Sequence, residues 1–447
     1  MNKNIVIIGG GISGLCLLYF LKKKYAGRGD IRFILFEKNA YLGGNIRTLS
    51  DHGALFECGP NGFLNNQPAM LDLIKELGIT GEMISANLQA KKRFVLVKEN
   101  LYLFPSNPAA FLKFKPMSLI EKLRVFFEPF VKKGGGSDET IHQFVRRRFG
   151  LAVVKYLADP MVSGIYGGNS EFLNIQSAFP KVYEMEQQFG SVIRGMMASR
   201  GSGVIKSGLH SFRGGMQCLI HALSTAGGDS IRVNEPVREV IPADRFYLVV
   251  TDKDKYTADE LYITAPSFVA GRLLEKSNAD LAQALMAIEY APIAVVGLLF
   301  DKSAFLRVPE GFGYLIPSSE NKKVLGVLAE SNIFDGRAGS SQMMLRIMIG
   351  GVRNFECSQM SQEQLVELAL RELNDRFGLV EGPLARFVCV YPRAIPQYEM
   401  QYPALKNRIK SALASFKRLH LLSNYLDGVS TNDCVKNAQV AASRSDV

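Results

Sequence analysis

The chain has 447 residues, 47% hydrophobic and 21% charged, with a formal net charge of +11. That composition is one of folded globular protein and excludes a disordered chain, and the basic excess points to an anionic partner: nucleic acid, acidic lipid or an acidic substrate. The six cysteines lack a CxxC and the five histidines lack metal-ligand spacing, which argues against zinc and redox-disulfide sites and suits free thiols in a reducing compartment.

Residues 4–10, NIVIIGG, read directly as a strand, so no cleavable leader is expected, and no apolar run reaches the roughly 18 residues of a membrane span. Residues 4–39 spell strand, glycine turn, amphipathic helix and second strand, with the turn Gly9-x-Gly11-x-x-Gly14. One glycine permits the tight turn, the next admits a pyrophosphate to the backbone, and the third lets helix pack on strand. The phosphates then meet the positive end of the helix. Glu37, closing the second strand, is placed to accept both ribose hydroxyls of an adenosine.

Six residues beyond that acid comes GGNIRT, residues 43–48, and then ECGPNGF, residues 57–63. A second glycine pair with an arginine so soon after the acid resembles the flavoprotein superfamily of amine oxidases, phytoene desaturases and protoporphyrinogen oxidases. The resemblance implies non-covalent FAD. Its nucleotide lies on Gly9, Gly11, Ile12, Ser13, Gly14, Glu37 and Lys38, its pyrophosphate and flavin along Gly43, Gly44, Asn45, Arg47, Gly59, Pro60, Asn61 and Gly62.

Residues 111–133, FLKFKPMSLIEKLRVFFEPFVKK, collect five phenylalanines and six basic residues. Ser118-x-x-Glu121 is a capping box, and Leu119, Ile120, Leu123, Phe126, Phe127 and Phe130 repeat at helical spacing until Pro129 kinks or ends the helix. Pattern alone favours a core-facing helix; the basic excess, together with the inserted membrane-binding helical domain that the resemblance implies, favours one lying in a headgroup layer. Gly134–Gly136 is a flexible break, Ser137 or Asp138 starts the next helix, which ends near Gly150, and Arg146–Arg148 reads as a solvated or lipid-facing edge.

Residues 231–266 alternate strands and turns up to Ala265-Pro266; in the superfamily the position of Val237 meets adenine through its backbone, and Ala265 joins the cofactor set. Residues 419–442 read as strand, glycine turn and helix, with Asn432 and Asp433 available as caps behind Val429, Ser430 and Thr431. A helix N-terminus aimed at a flavin's N1–C2=O edge would stabilise the charge that appears on reduction. Neither residues 201–208 nor residues 350–355 make a second dinucleotide fingerprint, so no built-in NAD(P)H site is expected: electrons come from the substrate and leave to oxygen or a quinone.

Five further stretches narrow the resemblance: residues 163–196, 212–223, 311–331, AIPQY at 394–398 and SNYLDGVSTNDC at 423–434. In this order along almost the whole chain they resemble the oxygen-dependent protoporphyrinogen oxidase family. Two departures stand out: Gln401-Tyr402-Pro403 replaces the family's Gly-His after AIPQY, and Asn437-Ala438 replaces a small-Gly pair.

The resemblance implies an α/β + α fold: a discontinuous Rossmann-like FAD domain (1–90, 209–284, 411–447), a mixed-sheet substrate domain (285–410), and an inserted helical membrane-binding domain (91–208). It implies oxidation of protoporphyrinogen IX by six electrons, hydrogen passing to flavin N5 with three hydrogen peroxide formed and no catalytic side chain required. It also gives substrate contacts at Arg93, Gly164, Phe312, Leu315 and Met348. It implies monotopic association with the cytoplasmic face of a membrane, and it is compatible with hand-off to a ferrochelatase and with a homodimer; no nucleic-acid motif is present. Coproporphyrinogen III, with four acidic arms, is the nearest alternative substrate. Another oxidase or desaturase of the superfamily is the next, and a flavin-free prenyl carrier is opposed by the complete cofactor set.

Overall fold

The structure is a computed structural model describing residues 3–134, 136, 138–200 and 208–447, the side chains of Gln89 and Arg200 excepted. Ser137 and almost all of the glycine-bearing stretch 201–208 lie outside the described residues.

A five-stranded sheet is parallel throughout, in the order Ile231–Arg232, Ile31–Phe36, Lys3–Ile8, Glu260–Ile263, Leu419–Leu421. Ile5, Val6 and Ile7 have no exposed surface, as expected of a parallel strand covered on both faces. The helices Ile12–Lys24 and Thr431–Arg444 share one core through Leu15, Leu18, Leu21, Val435, Ala438 and Ala442. The two extremities of the chain are also tied by the Tyr25 and Ser445 hydroxyls at 3.0 Å and by Lys24 Nζ donating to the Ser443 carbonyl at 3.0 Å. The departure at Asn437-Ala438 has a local role: Ala438 is fully buried between these helices, and Asn437 Nδ2 donates to the Asp427 carbonyl at 3.0 Å.

A seven-stranded mixed sheet runs Ala385–Pro396, Tyr290–Asp301, Gln342–Gly350, Val324–Ala329, Gly313–Leu315, Arg93–Val97, Asn100–Leu103. Alternate residues of its long strands point to opposite faces. Val296, Leu298 and Ile347 meet the helix Gln362–Phe377, whereas Val295, Leu299 and Met344 meet Phe56 and Phe387.

Residues 93–103 differ from the helical expectation for 91–208. They form a hairpin turned by Lys98 and Glu99, whose φ angles of 47° and 64° suit the turn that matches strand twist, and helices begin only at Pro108–Leu112.

The lobe of residues 108–200 is helical. Ser118 caps Leu119–Phe126 in a two-way capping box with Glu121, and a 3₁₀ turn at Glu128–Phe130 follows. The next helix, Ile141–Phe149, is capped by Thr140 rather than Ser137 or Asp138, because Gln143 at its third position completes the box.

The basic run 146–148 is not a solvated edge. Arg148 falls on the stripe of Ile141, Phe144 and Val145 and has no exposed surface. Its Nε donates to Glu128 Oε1 at 2.6 Å, and its other nitrogens donate to the carbonyls of Val131 (3.1 Å) and Gly190 (2.8 Å). Glu128, equally buried, also accepts from Ser191 Oγ at 2.5 Å and from the backbone amides of Val192 and Ile193. Arg147 pairs with Glu139 and Glu186. Only Arg146 faces solvent.

Candidate functional site

The glycine turn sits where the parallel strands Lys3–Ile8 and Glu260–Ile263 end together. Gly9 has φ +116°, closed to most side chains, and Thr264 Oγ1 donates to its carbonyl at 2.9 Å, with the Ala265 amide beside it. A Cβ on Gly14 would lie 2.0 Å from the Gly9 carbonyl oxygen, so that position must be bare for the helix to approach the strand. Gly11 differs: a Cβ there meets nothing within 4 Å, and the turn opens onto free space. The helix it begins has no side-chain cap and no acid in its first turn, and Ile12 and Ser13 are buried behind it, which leaves the helix N-terminus available to an anion.

Glu37 is buried beside the turn. Its Oε2 accepts from the Gly10 amide at 2.8 Å and its Oε1 from the Asn39 amide at 2.9 Å, which fixes the carboxylate and leaves lone pairs for a diol. Lys38 is exposed just beyond. Val237 follows Glu235, whose amide donates to the Glu37 carbonyl at 3.0 Å, so Val237 stands next to the acid. The second glycine pair folds onto the first: the Gly43 amide donates to the Gly10 carbonyl at 2.8 Å, and a Cβ on Gly44 would lie 3.5 Å from Gly11 Cα. Asn45 and Arg47 are exposed, with the Arg47 guanidinium 4.9 Å from the Tyr41 ring. Gly59 packs on the Asn45 carbonyl and Gly62 on the His210 carbonyl, with half-buried Pro60 and Asn61 between them.

The last helix arrives at the same place. Ser430 is its cap, in a capping box with Asp433, while Asn432 lies inside the first turn and does not cap. Val429 precedes the cap and Thr431 opens the helix. Asn432 Nδ2 donates to the Leu64 carbonyl at 2.8 Å, but its buried Oδ1 has no hydrogen-bond partner among the described residues. An open backbone at Gly11, a fixed buried diol acceptor at Glu37 and an orphaned acceptor at Asn432 fit a dinucleotide stretched across the sheet ends.

Three groups had not been singled out. Arg346 Nη2 donates to the Gly59 carbonyl, its Nη1 lies 3.5 Å from Glu330 Oε1, and Asn61 Nδ2 donates to the same carboxylate at 3.1 Å. Both charges are buried, and the visible sign was a lone arginine inside MMLRIMI at residues 343–349. Glu57 is also buried. Desolvation raises its carboxyl to about 7 against the amide of Met216 (2.8 Å), the Thr48 hydroxyl (2.9 Å) and Arg337 (3.9 Å), all of which favour its charge.

On the substrate side, Arg93 pairs with Gly313 in parallel register, and its guanidinium lies 4.5 Å from the Phe312 ring. No acid pairs with Arg93 among the described residues, and desolvation lowers its pKa. It lines a cavity of about 150 Å³ with Phe104, Met161, Phe312, Leu315 and Leu328. A Cβ on Gly164 would strike Leu315 Cδ2 at 2.8 Å, so Gly164 closes that wall from the helical lobe. Met348 stands apart, two strands from Leu315 and packed with the Phe56 cluster. A larger cavity, about 690 Å³, lies on the helix-covered face beside Tyr314 and Arg376, away from Gly59 and Arg346.

Residues 12–444 match the family model for flavin-containing amine oxidoreductases. The chain is 31% identical to a protoporphyrinogen oxidase of Bos taurus, over 99% of this chain and 98% of the bovine one. It is 31% identical to the chloroplastic protoporphyrinogen oxidase 1 of Arabidopsis thaliana, over 99% and 88% of the two chains. A solved structure from Exiguobacterium sp. 255-15 has the same fold, with TM-score 0.86 and 24% identity over 99% of this chain and 98% of that one. The chain belongs to the flavin-containing amine oxidoreductases and, within them, to the protoporphyrinogen oxidase family.

Proposed function

We propose that the protein oxidises protoporphyrinogen IX to protoporphyrin IX in haem biosynthesis, with FAD held between the two ends of the chain. The observation that carries this reading is Arg93, an exposed guanidinium with no acid partner among the described residues, lying 4.5 Å from the Phe312 ring at the rim of an apolar cavity. Arginine remains charged and presents a planar fork, so a substrate carboxylate can pair with it through two parallel hydrogen bonds. The full-length likeness to protoporphyrinogen oxidases supports a substrate that carries propionates.

FAD supplies a two-electron acceptor in the cradle of Gly9–Gly14, Glu37 and Gly43–Gly44. The chain's part is binding and orientation. Arg93 holds one acidic arm, Phe312 and Leu315 wall the ring edge, and the Gly164 backbone faces the pyrroles. The cavity is below the ~300 Å³ of ordinary small-molecule sites, which suits it to one arm and one edge of a macrocycle. Oxygen or a quinone takes the electrons onward.

The same reading makes the lobe of residues 108–200 a lipid-facing insert and assigns the two parts of the sheet-forming chain to flavin and substrate domains. Leu119, Ile120, Leu123, Phe126, Phe127 and Phe130 are all exposed, beside exposed Lys113, Lys115 and Lys132. No helix among the described residues is long and apolar enough to cross a membrane, so this face would lie on the cytoplasmic surface of one.

The deciding experiment gives protoporphyrinogen IX and coproporphyrinogen III separately to FAD-loaded protein and follows porphyrin fluorescence. Faster growth with the di-acid is expected, together with a KM raised at least tenfold, and an unchanged flavin spectrum, in Arg93→Met. A clear preference for the tetra-acid would overturn the substrate assignment.

A further inference from the structure

The walls of the small cavity come from two parts of the chain. Met161 belongs to the helix Asp159–Tyr166, and Leu315 to the strand Gly313–Leu315, with Phe312 just before it. Gly164, on the same helix, closes against Leu315. The separation of helix and strand therefore sets the width of the cavity, and what fixes that separation lies outside the lining.

Asp159, the first residue of the helix, is 4% exposed. Its Oδ2 accepts from the Ser318 amide at 2.9 Å, three residues past Leu315, and its Oδ1 accepts from Arg353 Nη2 at 2.7 Å. The same Arg353 nitrogen donates to Asn169 Oδ1 at 2.9 Å, just beyond the helix. Desolvation pushes the Asp159 carboxyl up, but the Arg353 guanidinium and the Ser318 amide outweigh it and hold it below the usual carboxylate range. The far end of the helix is gripped from the same segment: the Val352 amide donates to the Gly167 carbonyl at 2.8 Å, and Gln397 Nε2 donates to the Tyr166 carbonyl at 2.8 Å. Residues 352 and 353 thus hold both ends of one short helix whose middle closes the cavity. That helix follows a π-helical turn, Val154–Ala158, an uncommon geometry frequent at functional sites.

We propose that Asp159 and Arg353 are positioning residues for the substrate: the buried carboxylate, clamped by the arginine and by the Ser318 amide, sets the spacing between Gly164 and Leu315. Neither side chain lines the cavity, so the pair acts through the wall and not on the substrate. Its two charges cancel, so attraction of an acidic arm stays with Arg93. With the clamp loosened, the wall no longer holds the edge of a macrocycle and the substrate binds weakly. The flavin cradle of Gly9–Gly14, Glu37 and Gly43–Gly44 is built from other elements and is untouched. This role rests on the reading that the Arg93 cavity takes the substrate.

The test compares Arg353→Met with Arg93→Met in the FAD-loaded full chain, with protoporphyrinogen IX as substrate. Arg353→Met should raise KM about fivefold or more while kcat per bound flavin stays within about twofold and the flavin dissociation constant is unchanged. Arg353→Lys, which keeps one charged bond to Asp159, should recover part of the loss. Adding Asp159→Asn to Arg353→Met should raise KM little further, because the two side chains work as one unit. An unchanged KM in Arg353→Met, beside a raised one in Arg93→Met, would overturn the clamp and leave the cavity reading standing. An unchanged KM in both would overturn the cavity reading and the clamp with it. Lower kcat or lost flavin at constant KM would show that the pair merely holds the fold, and would also overturn the proposal. Should Arg353→Met fail to fold, the milder Arg353→Lys decides by the same split between KM and kcat.

Discussion

In the parallel sheet the side chains without exposed surface are Ile5, Val6, Ile7, Leu35, Leu261 and Ile263; in the lobe of residues 108–200 they include Glu128, Arg148 and Glu186. The surfaces are reversed in the same way. Lys122 is the buried residue of the helix Leu119–Phe126, with Nζ donating to the Leu112 carbonyl at 2.8 Å, while Ile120 is 80% and Phe130 78% exposed. The sheet hides its apolar side chains from water; the lobe buries Ile141, Phe144, Val162 and Leu173 but presents the apolar side chains of residues 119–130. An ordinary core provides the first with its stability. The second adds to its core a buried ionic cluster of Glu128, Arg148 and Glu186 behind the exposed apolar face.

The largest expected effect breaks that framework. Glu128→Ala leaves Arg148 charged and buried with Glu186, at 3.0 Å, as its remaining carboxylate, and it strands the Ser191 hydroxyl and the amides of Val192 and Ile193, at a cost of about 3 kcal/mol. Replacing both partners, Glu128→Leu with Arg148→Met, should recover part of the loss: the charges go together and Glu186 keeps Arg147, while the Ser191 hydroxyl and the amides of Val192 and Ile193 stay without their acceptor. Urea unfolding midpoints of the single and double variants test this. A single variant within about 1 kcal/mol of the unsubstituted protein would show that the pair holds nothing, and the contrast between the two regions would collapse.

A smaller effect sharpens the other side of the contrast, inside the glycine turn. Gly14→Ala drives a methyl to 2.0 Å from the Gly9 carbonyl oxygen and should cost about 1–3 kcal/mol even without flavin. Gly11→Ala meets nothing within 4 Å, so the flavin-free protein should keep its stability within about 0.5 kcal/mol. Its methyl does enter the space facing a pyrophosphate, and flavin affinity should fall at least tenfold. Thermal scans of flavin-free protein and a flavin fluorescence titration separate the two. Equal flavin affinity in Gly11→Ala would remove the cofactor from this turn.

The same contrast explains what could be read in the sequence. Gly9, Gly11, Gly14 and Glu37 act through rules of covalent geometry within one strand–turn–helix unit, so their spacing announces them. Ser118 and Glu121 form a box across three residues, equally local. Periodicity marked the apolar face of residues 119–130 but carried no information on whether that face turns inward, since this depends on what packs behind Lys122 and Glu128. Arg148 was misplaced because a run of three arginines hides that the third falls on the stripe of Ile141, Phe144 and Val145. The hairpin of residues 93–103 was lost to a boundary drawn from resemblance, though Val95 and Val97 at the end of Arg93–Val97 are strand formers buried against Phe114 and Met117. Glu330 meets Arg346 where the short helix Glu330–Ile333 folds onto the strand Gln342–Gly350, a contact between different elements that no spacing along the chain shows.

The smallest expected effect on stability bears on what the outward face is for. Phe126, Phe127 and Phe130 are 47%, 62% and 78% exposed, so changing all three to serine removes little packing, and the fold should change by no more than about 0.5 kcal/mol per site. Burying a phenylalanine in hydrocarbon is worth about 1.5–3 kcal/mol, so losing three should weaken binding to phosphatidylglycerol vesicles roughly a hundredfold or more while bound flavin stays. Co-sedimentation at a fixed lipid concentration, repeated at high salt, reads this directly. Loss of binding only at high salt, with the triple variant otherwise unaffected, would assign the attachment to Lys113, Lys115 and Lys132 as a charged contact. The exposed phenylalanines would then need another apolar partner, and the inverted burial of this lobe would be the mark of a protein interface instead of a lipid one.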